Sequence, residues 1–183
     1  IGKVRFVNIE MYRTPRPYDY NTEGNWRILP GISGGGYFHD MASHQLDYLD
    51  SVFGPVVKAN GIAVNQAGLY PADDMVSASL LFESGVVGTG TWCFTTDTYS
   101  EKEAITILGS AGHLVFNTFG SPMKINITSS EVTKLVDVLH PEHIQQPLIQ
   151  TIVNELRGTG KCPSTGETGA RTTRLMIDIT RSI

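Results

Sequence analysis

The sequence is short of charge, almost free of cysteine and without a long apolar run. Charged residues make up 17% of the 183, below the ~25% usual for a soluble domain. No basic run occurs and the formal net charge is −4, so no nucleic-acid partner is expected. No stretch approaches the ~18–20 apolar residues of a membrane span, so no membrane association is expected either. Cys93 and Cys162 lie far apart and form no C-x-x-C, which argues against a disulfide framework and a cysteine-ligated zinc site. An initiator Met is absent, as are the basic start and apolar run of a signal peptide: the chain opens Ile1-Gly2-Lys3-Val4, directly in a strand pattern. That start points to a piece of something longer. The cytoplasm is the expected compartment, with an export signal further upstream left open.

What is present suffices for a core. Hydrophobic residues are 40% of the chain, and the length suits one domain over residues 1–183. Val4, Phe6, Ile9 and Met11 begin a strand. Residues 13–36 then break the pattern with prolines, Asn25-Trp26-Arg27 and the run Gly34-Gly35-Gly36. Loops beyond about 12–15 residues without structure are usually functional or disordered, and the embedded Tyr18, Tyr20, Trp26 and Arg27 favour function. Residues 38–53 read as a helix and 56–66 as a strand. Hairpins follow over 73–95 and 104–117, then a shorter strand pair over 124–138. Pro147 opens a helix that ends near Gly158, with Ile149, Ile152, Val153 and Leu156 on its inner side. Ser164-Thr165-Gly166-Glu167 has capping-box spacing for a last helix. Consecutive hairpins flanked by helices predict an α+β fold, an open-faced and predominantly antiparallel sheet with helices packed on one face.

On a helical wheel, Ala42, Leu46, Leu49 and Phe53 share one line, with Met41, Tyr48 and Val52 widening the stripe. Asp40, His44, Asp47 and Ser51 lie roughly 140–200° away. Asp40 and His44 are i and i+4 and therefore neighbours. A solvated outer face is one reading of this side. The other is a proton-transfer pair, because histidine titrates near neutrality and a carboxylate one turn away can fix its tautomer or hold a substrate hydroxyl. The preceding glycines, which permit close approach of a backbone or ligand, favour the second. Trp26 and Arg27 read either as loop anchors or as a sugar-stacking ring and a hydroxyl- or anion-holding cation. Asp40, His44 and Asp47 could in principle ligate a metal, but one helix seldom completes a shell, and no metal is expected. Gly31-Ile32-Ser33-Gly34-Gly35 matches a hydrolase elbow but lacks the strand that must lead into it. The glycine run also fails as a Gly-x-Gly-x-x-Gly dinucleotide fingerprint.

The stretch Trp26-Arg27-x-x-Pro30…Gly34-Gly35-Gly36-Tyr37-Phe38-His39-Asp40-Met41-x-x-His44-Gln45-x-Asp47 resembles the start of the C-terminal domain of the Gfo/Idh/MocA oxidoreductases. Ile105-Thr106-Ile107-x-Gly109-Ser110-x-Gly112-x-Leu114 and Pro163-Ser164-Thr165-Gly166-Glu167 extend the resemblance over roughly residues 20–183. It implies an NAD(P)-dependent oxidoreductase acting on a sugar, cyclitol or related polyol. His44 and Asp40 would be the catalytic pair, and Trp26, Arg27, Tyr37 and Asp47 substrate-binding residues. NAD or NADP would be bound mainly by an N-terminal Rossmann domain that this sequence lacks, so the chain alone is expected to be inactive. The resemblance further implies a homo-oligomer, dimer or tetramer, formed through the sheet. The competing reading is a non-catalytic module for oligomerisation or carbohydrate binding.

Overall fold

A computed structural model describes residues 1–21, 23–120 and 123–181. Its strands are β1 (Val4–Tyr12), β2 (Val56–Val64), β3 (Met75–Phe82), β4 (Val87–Cys93), β5 (Lys102–Gly109), β6 (Gly112–Phe116), β7 (Met123–Ser129) and β8 (Thr133–Val138). The helices are α1 (Pro30–Ser33), α2 (Tyr37–Phe53), α3 (Gln146–Leu156) and α4 (Gly166–Thr180). One eight-stranded sheet runs β2-β3-β4-β1-β5-β6-β7-β8. The β1–β4 pair is parallel and the others are antiparallel. The fold is thus the expected open-faced α+β arrangement. The first strand, however, sits in the middle of the sheet, between two blocks of consecutive hairpins.

The sheet's two faces differ because side chains alternate along each strand. Following the register across the strands, one row reads Gly61, Ala78, Gly90, Ile9, Ile105, Phe116, Ile125 and Val136. Ala78, Ile9, Ile105 and Phe116 of this row are buried in the core with Leu46, Leu49, Phe38 and Trp92, and Ile125 packs against it. The neighbouring row reads Asn60, Ser79, Thr89, Asn8, Thr106, Val115, Asn126 and Leu135. This row of the uncovered face is therefore polar from β2 to β5, where Thr89 Oγ1 donates to Asn8 Oδ1 at 2.7 Å. The next row on the same face carries Leu81, Val87, Phe6 and Leu108, of which Leu81, Val87 and Leu108 are exposed.

Helices α2 and α4 cover the core face. Ala42, Leu46, Leu49 and Phe53 of α2 are buried, as the wheel requires. A side chain at Gly61 would run into Ile179, so glycine there lets α4 lie directly on β2. Two local readings change. The α4 cap is Thr165 rather than Ser164: Thr165 Oγ1 accepts from Thr168 N at 3.2 Å and Thr168 Oγ1 accepts from Thr165 N at 3.0 Å. The Ser164 carbonyl instead accepts from the Cys162 thiol. And α3 buries none of its residues, so Ile149, Ile152 and Leu156, read as inner, stay exposed. Periodicity shows that a helix has an apolar side, not that something covers it. Among the described residues, no helix is long and apolar enough to cross a membrane.

Candidate active site

The long segment before α2 is ordered by its own polar groups and by a small apolar cluster of its own, in which buried Ile28 packs with Tyr70 and Ala72. Two single 3-10 turns, Pro17–Tyr20 and Trp26–Ile28, and the short α1 punctuate it. Asp19 organises the first part. It is 2% exposed and accepts from Arg16 N at 2.7 Å, Asn25 Nδ2 at 2.8 Å and Tyr37 Oη at 2.5 Å. A buried carboxylate needs such a set of donors. Tyr37 is correspondingly fixed: burial above all, then its bond to Asp19, holds its phenol well above the ordinary value of 10.0. It is a stationary donor and not a group that gives up its proton near neutrality.

The glycine run is shaped by the protein's own side chains. Gly34 ends α1 at φ 85°, and Gly36 opens α2 at φ 77°. Ser33 Oγ accepts from Gly36 N at 2.8 Å. A Cβ on Gly36 would strike Ala72, and one on Gly35 would strike the His39 ring. The close approach anticipated at these glycines is thus made within the chain. His39 neither reaches solvent with its nitrogens nor bonds: both are buried without a partner.

The first turn of α2 presents Asp40, where the helix dipole favours a carboxylate. Arg27 Nε donates to Asp40 Oδ2 at 3.0 Å, and the same guanidinium lies 4.5 Å from the centre of the Trp26 ring. Both charges are substantially exposed, so the pair contributes position more than stability. Asp40, Arg27 and Tyr37 line a cavity of about 660 Å³ together with Arg13, Arg16, Asp19, Asn25, Met41 and Phe94, within the usual size range of small-molecule sites.

His44, one turn further, is exposed and opens onto a second concavity of about 780 Å³ between α2 and α4. Its ring stands edge to face against Phe119 at 5.7 Å. Asp47 shares that concavity and accepts from Thr172 Oγ1 at 3.2 Å. The structure therefore brings Arg27, Tyr37 and Asp40 together around one cavity, with Trp26 against Arg27 but outside the lining, and places His44 and Asp47 on a second one. No hydrogen bond joins Asp40 and His44. Among the described residues no three His, Cys, Asp or Glu side chains group as a metal site; Asp40 and Asp47 are held by Arg27 and Thr172.

A positioning network escaped the sequence. Gln45 is wholly buried; its Oε1 accepts from Trp92 Nε1 at 2.7 Å and its Nε2 donates to Glu103 Oε1 at 3.3 Å. Glu103 in turn accepts from Thr118 N at 2.8 Å and Phe119 N at 3.2 Å. The core thus fixes the segment against which His44 stands. The signal was a polar residue inside the apolar stripe of the α2 wheel, about 60° from Ala42.

Residues 1–115 match the family model of the GFO/IDH/MocA C-terminal domain. The chain is 36% identical over 179 residues to Oxidoreductase P35 of Formosa agariphila, an alignment covering 96% of this chain and 53% of that protein. It therefore spans about half the length of that curated relative. Among solved structures, the WlbA dehydrogenase from Bordetella pertussis, in complex with NADH and UDP-GlcNAcA, is similar at 26% identity and TM-score 0.75, over 99% of this chain and 53% of that one. An aldose-aldose oxidoreductase from Caulobacter crescentus, complexed with glycerol, shares the fold at TM-score 0.81 and 15% identity, over 100% of this chain and 54% of that one.

Proposed function

This chain belongs to the GFO/IDH/MocA C-terminal domain family, and on that premise we propose that it is the substrate-binding part of an NAD(P)-dependent oxidoreductase acting on a hydroxyl or carbonyl of a sugar, cyclitol or related polyol. The observation that carries the proposal is the first turn of α2, where Asp40 faces a small-molecule cavity beside Trp26 and Arg27 and stands one turn from an exposed histidine. The dehydrogenase and oxidoreductase relatives support the same reading.

In this mechanism His44 exchanges the proton of the reacting hydroxyl, for which an imidazole near neutrality is suited. Asp40, held by Arg27, accepts a hydrogen bond from that hydroxyl and fixes its direction. Trp26 offers an exposed ring face to the sugar, and Asp47 and the fixed Tyr37 hydroxyl complete the polar surroundings. The residues here do not fit a dinucleotide: the glycine run lacks the fingerprint spacing, and its close approaches are taken by His39 and Ala72. The cofactor, whose chemistry would be hydride exchange at the substrate carbon, is held by residues outside this chain, and the chain alone is inactive. We further propose that the protein works in the cytoplasm as a homo-oligomer formed through the sheet, in keeping with two cysteines that both remain free thiols.

The test is turnover of the full-length protein carrying His44→Ala. A general acid–base contributes about 10²–10⁴-fold, so kcat should fall by that factor. Undiminished kcat would remove His44 from the reaction, whereas no turnover of any such substrate by the parent protein would leave a carbohydrate-binding or oligomerisation module as the better description.

A further inference from the structure

Three arginines line the Asp40 cavity, and they are not equivalent. Arg27 is committed to Asp40 and to the Trp26 ring. Arg13 and Arg16 have no ion pair among the described residues, where Arg27–Asp40, Lys102–Glu10 and Arg171–Asp50 are the pairs formed. The carboxylates of the lining do not compensate them. Asp40 serves Arg27, and Asp19 is saturated by two side chains and a backbone N–H. Glu23 remains, exposed, and forms no ion pair with either arginine among the described residues. Glu101 lies close enough to feel both arginines, but its nearest bond is to Thr14 N at 3.0 Å and it forms no ion pair.

Both arginines are carried on fixed backbone. Arg13 N donates to Cys93 O at 2.8 Å and Thr96 N donates to Arg13 O at 3.1 Å, continuing the β1–β4 ladder. Arg16 N is tied to buried Asp19. The Arg13 guanidinium lies 5.8 Å from the centre of the Phe119 ring, the same ring that His44 meets edge-on. Arg13 thus lines the Asp40 cavity and shares the Phe119 ring with His44. A neutral sugar has no group that needs two guanidinium forks free of any ion pair; a carboxylate or phosphate matches their geometry bidentately.

We propose that the substrate is a sugar bearing an oxyanion substituent, a carboxylate or a phosphate, held by Arg13 and Arg16 while Asp40 and Arg27 address its hydroxyls. The inference rests on the sugar-oxidoreductase reading above. It concerns a part of the cavity that this reading does not use.

The experiment is calorimetric binding and turnover by the full-length protein, with NAD or NADP present, on two matched pairs: a hexose with its uronate, and a hexose with its 1-phosphate. One charged member should bind about 10–100-fold more tightly than its neutral partner, the worth of charge-assisted bonds. Which pair shows the preference identifies the substituent. Arg13→Met and Arg16→Met should each erode that ratio, and Arg13→Lys should restore part of it, which a merely structural role for Arg13 would not do. Equal or weaker binding of both charged sugars, or a preference that survives both Met variants, would overturn the proposal while leaving the enzyme reading intact. Charged preference in binding with no turnover of any sugar would uphold the arginine site and sink the oxidoreductase reading instead.

Discussion

At His39 the imidazole rests against Gly35 with both nitrogens buried and unbonded. Burial pushes its pKa below the ordinary 6.5, and the nearby Gly35 backbone offsets only part of that shift. The unfolded chain therefore takes up this proton at a higher pH than the folded one. Stability from this group is complete above about pH 6.5 and falls as pH drops from there toward the lowered folded pKa. Urea unfolding at about pH 7.5 and 5.5 should show the loss, and His39→Phe should flatten it; an unchanged slope in that variant would contradict the assignment. Sequence spacing correctly made Asp40 and His44 neighbours on one helix, because that follows from helical geometry alone. It could not show that Arg27 takes Asp40, or that Gln45 and Glu103 fix the Phe119 segment, since those contacts join residues far apart in the chain.

Among the elements, α2 was the most legible, and its entry the least. Its buried line is a property of period, but the turn before it depends on Ala72, which arrives from a distant loop. Gly36 combines a left-handed φ of 77° with contact to Ala72. Gly36→Ala should cost at least about 2 kcal/mol from backbone strain and overlap. For a chain of this size that is a fall of about 4–8 °C in Tm, measurable by calorimetry; a Tm within one degree of the parent would refute the strain. The segment over 13–36 read as structureless because its order comes from the buried carboxylate Asp19 and from Ile28 packed on the distant Tyr70 and Ala72, neither of which an apolar periodicity announces. The α3 helix shows the converse, a clear apolar stripe with no partner among the described residues.

For the whole molecule, hairpins were legible and the sheet order was not. Turns such as Ser84-Gly85 pair strands that are adjacent in sequence, whereas the place of β1 depends on pairing with residues some eighty positions later. The uncovered face is mixed: Asn60, Ser79, Thr89, Asn8 and Thr106 form one row, and the exposed Leu81, Val87 and Leu108 stand in the next. Self-association through it would combine an apolar contact with polar groups and bridging water. Sedimentation equilibrium of the full-length protein should still give a dimer or larger, and a Thr89→Arg change should weaken it. A monomer at every concentration would remove the oligomer from the account.

The central position of β1 also sets an order in time. The β2–β4 and β5–β8 blocks can each grow from local hairpins, but neither touches the other in the sheet except through the strand made first. Val7, Ile9 and Met11, all fully buried at the end, must wait for both. Distant pairing slows folding and prolongs the exposure of unpaired edges. The strand that precedes the others of this sheet is therefore fully enclosed only once partners from both blocks have arrived, and until then its apolar side chains are exposed to aggregation.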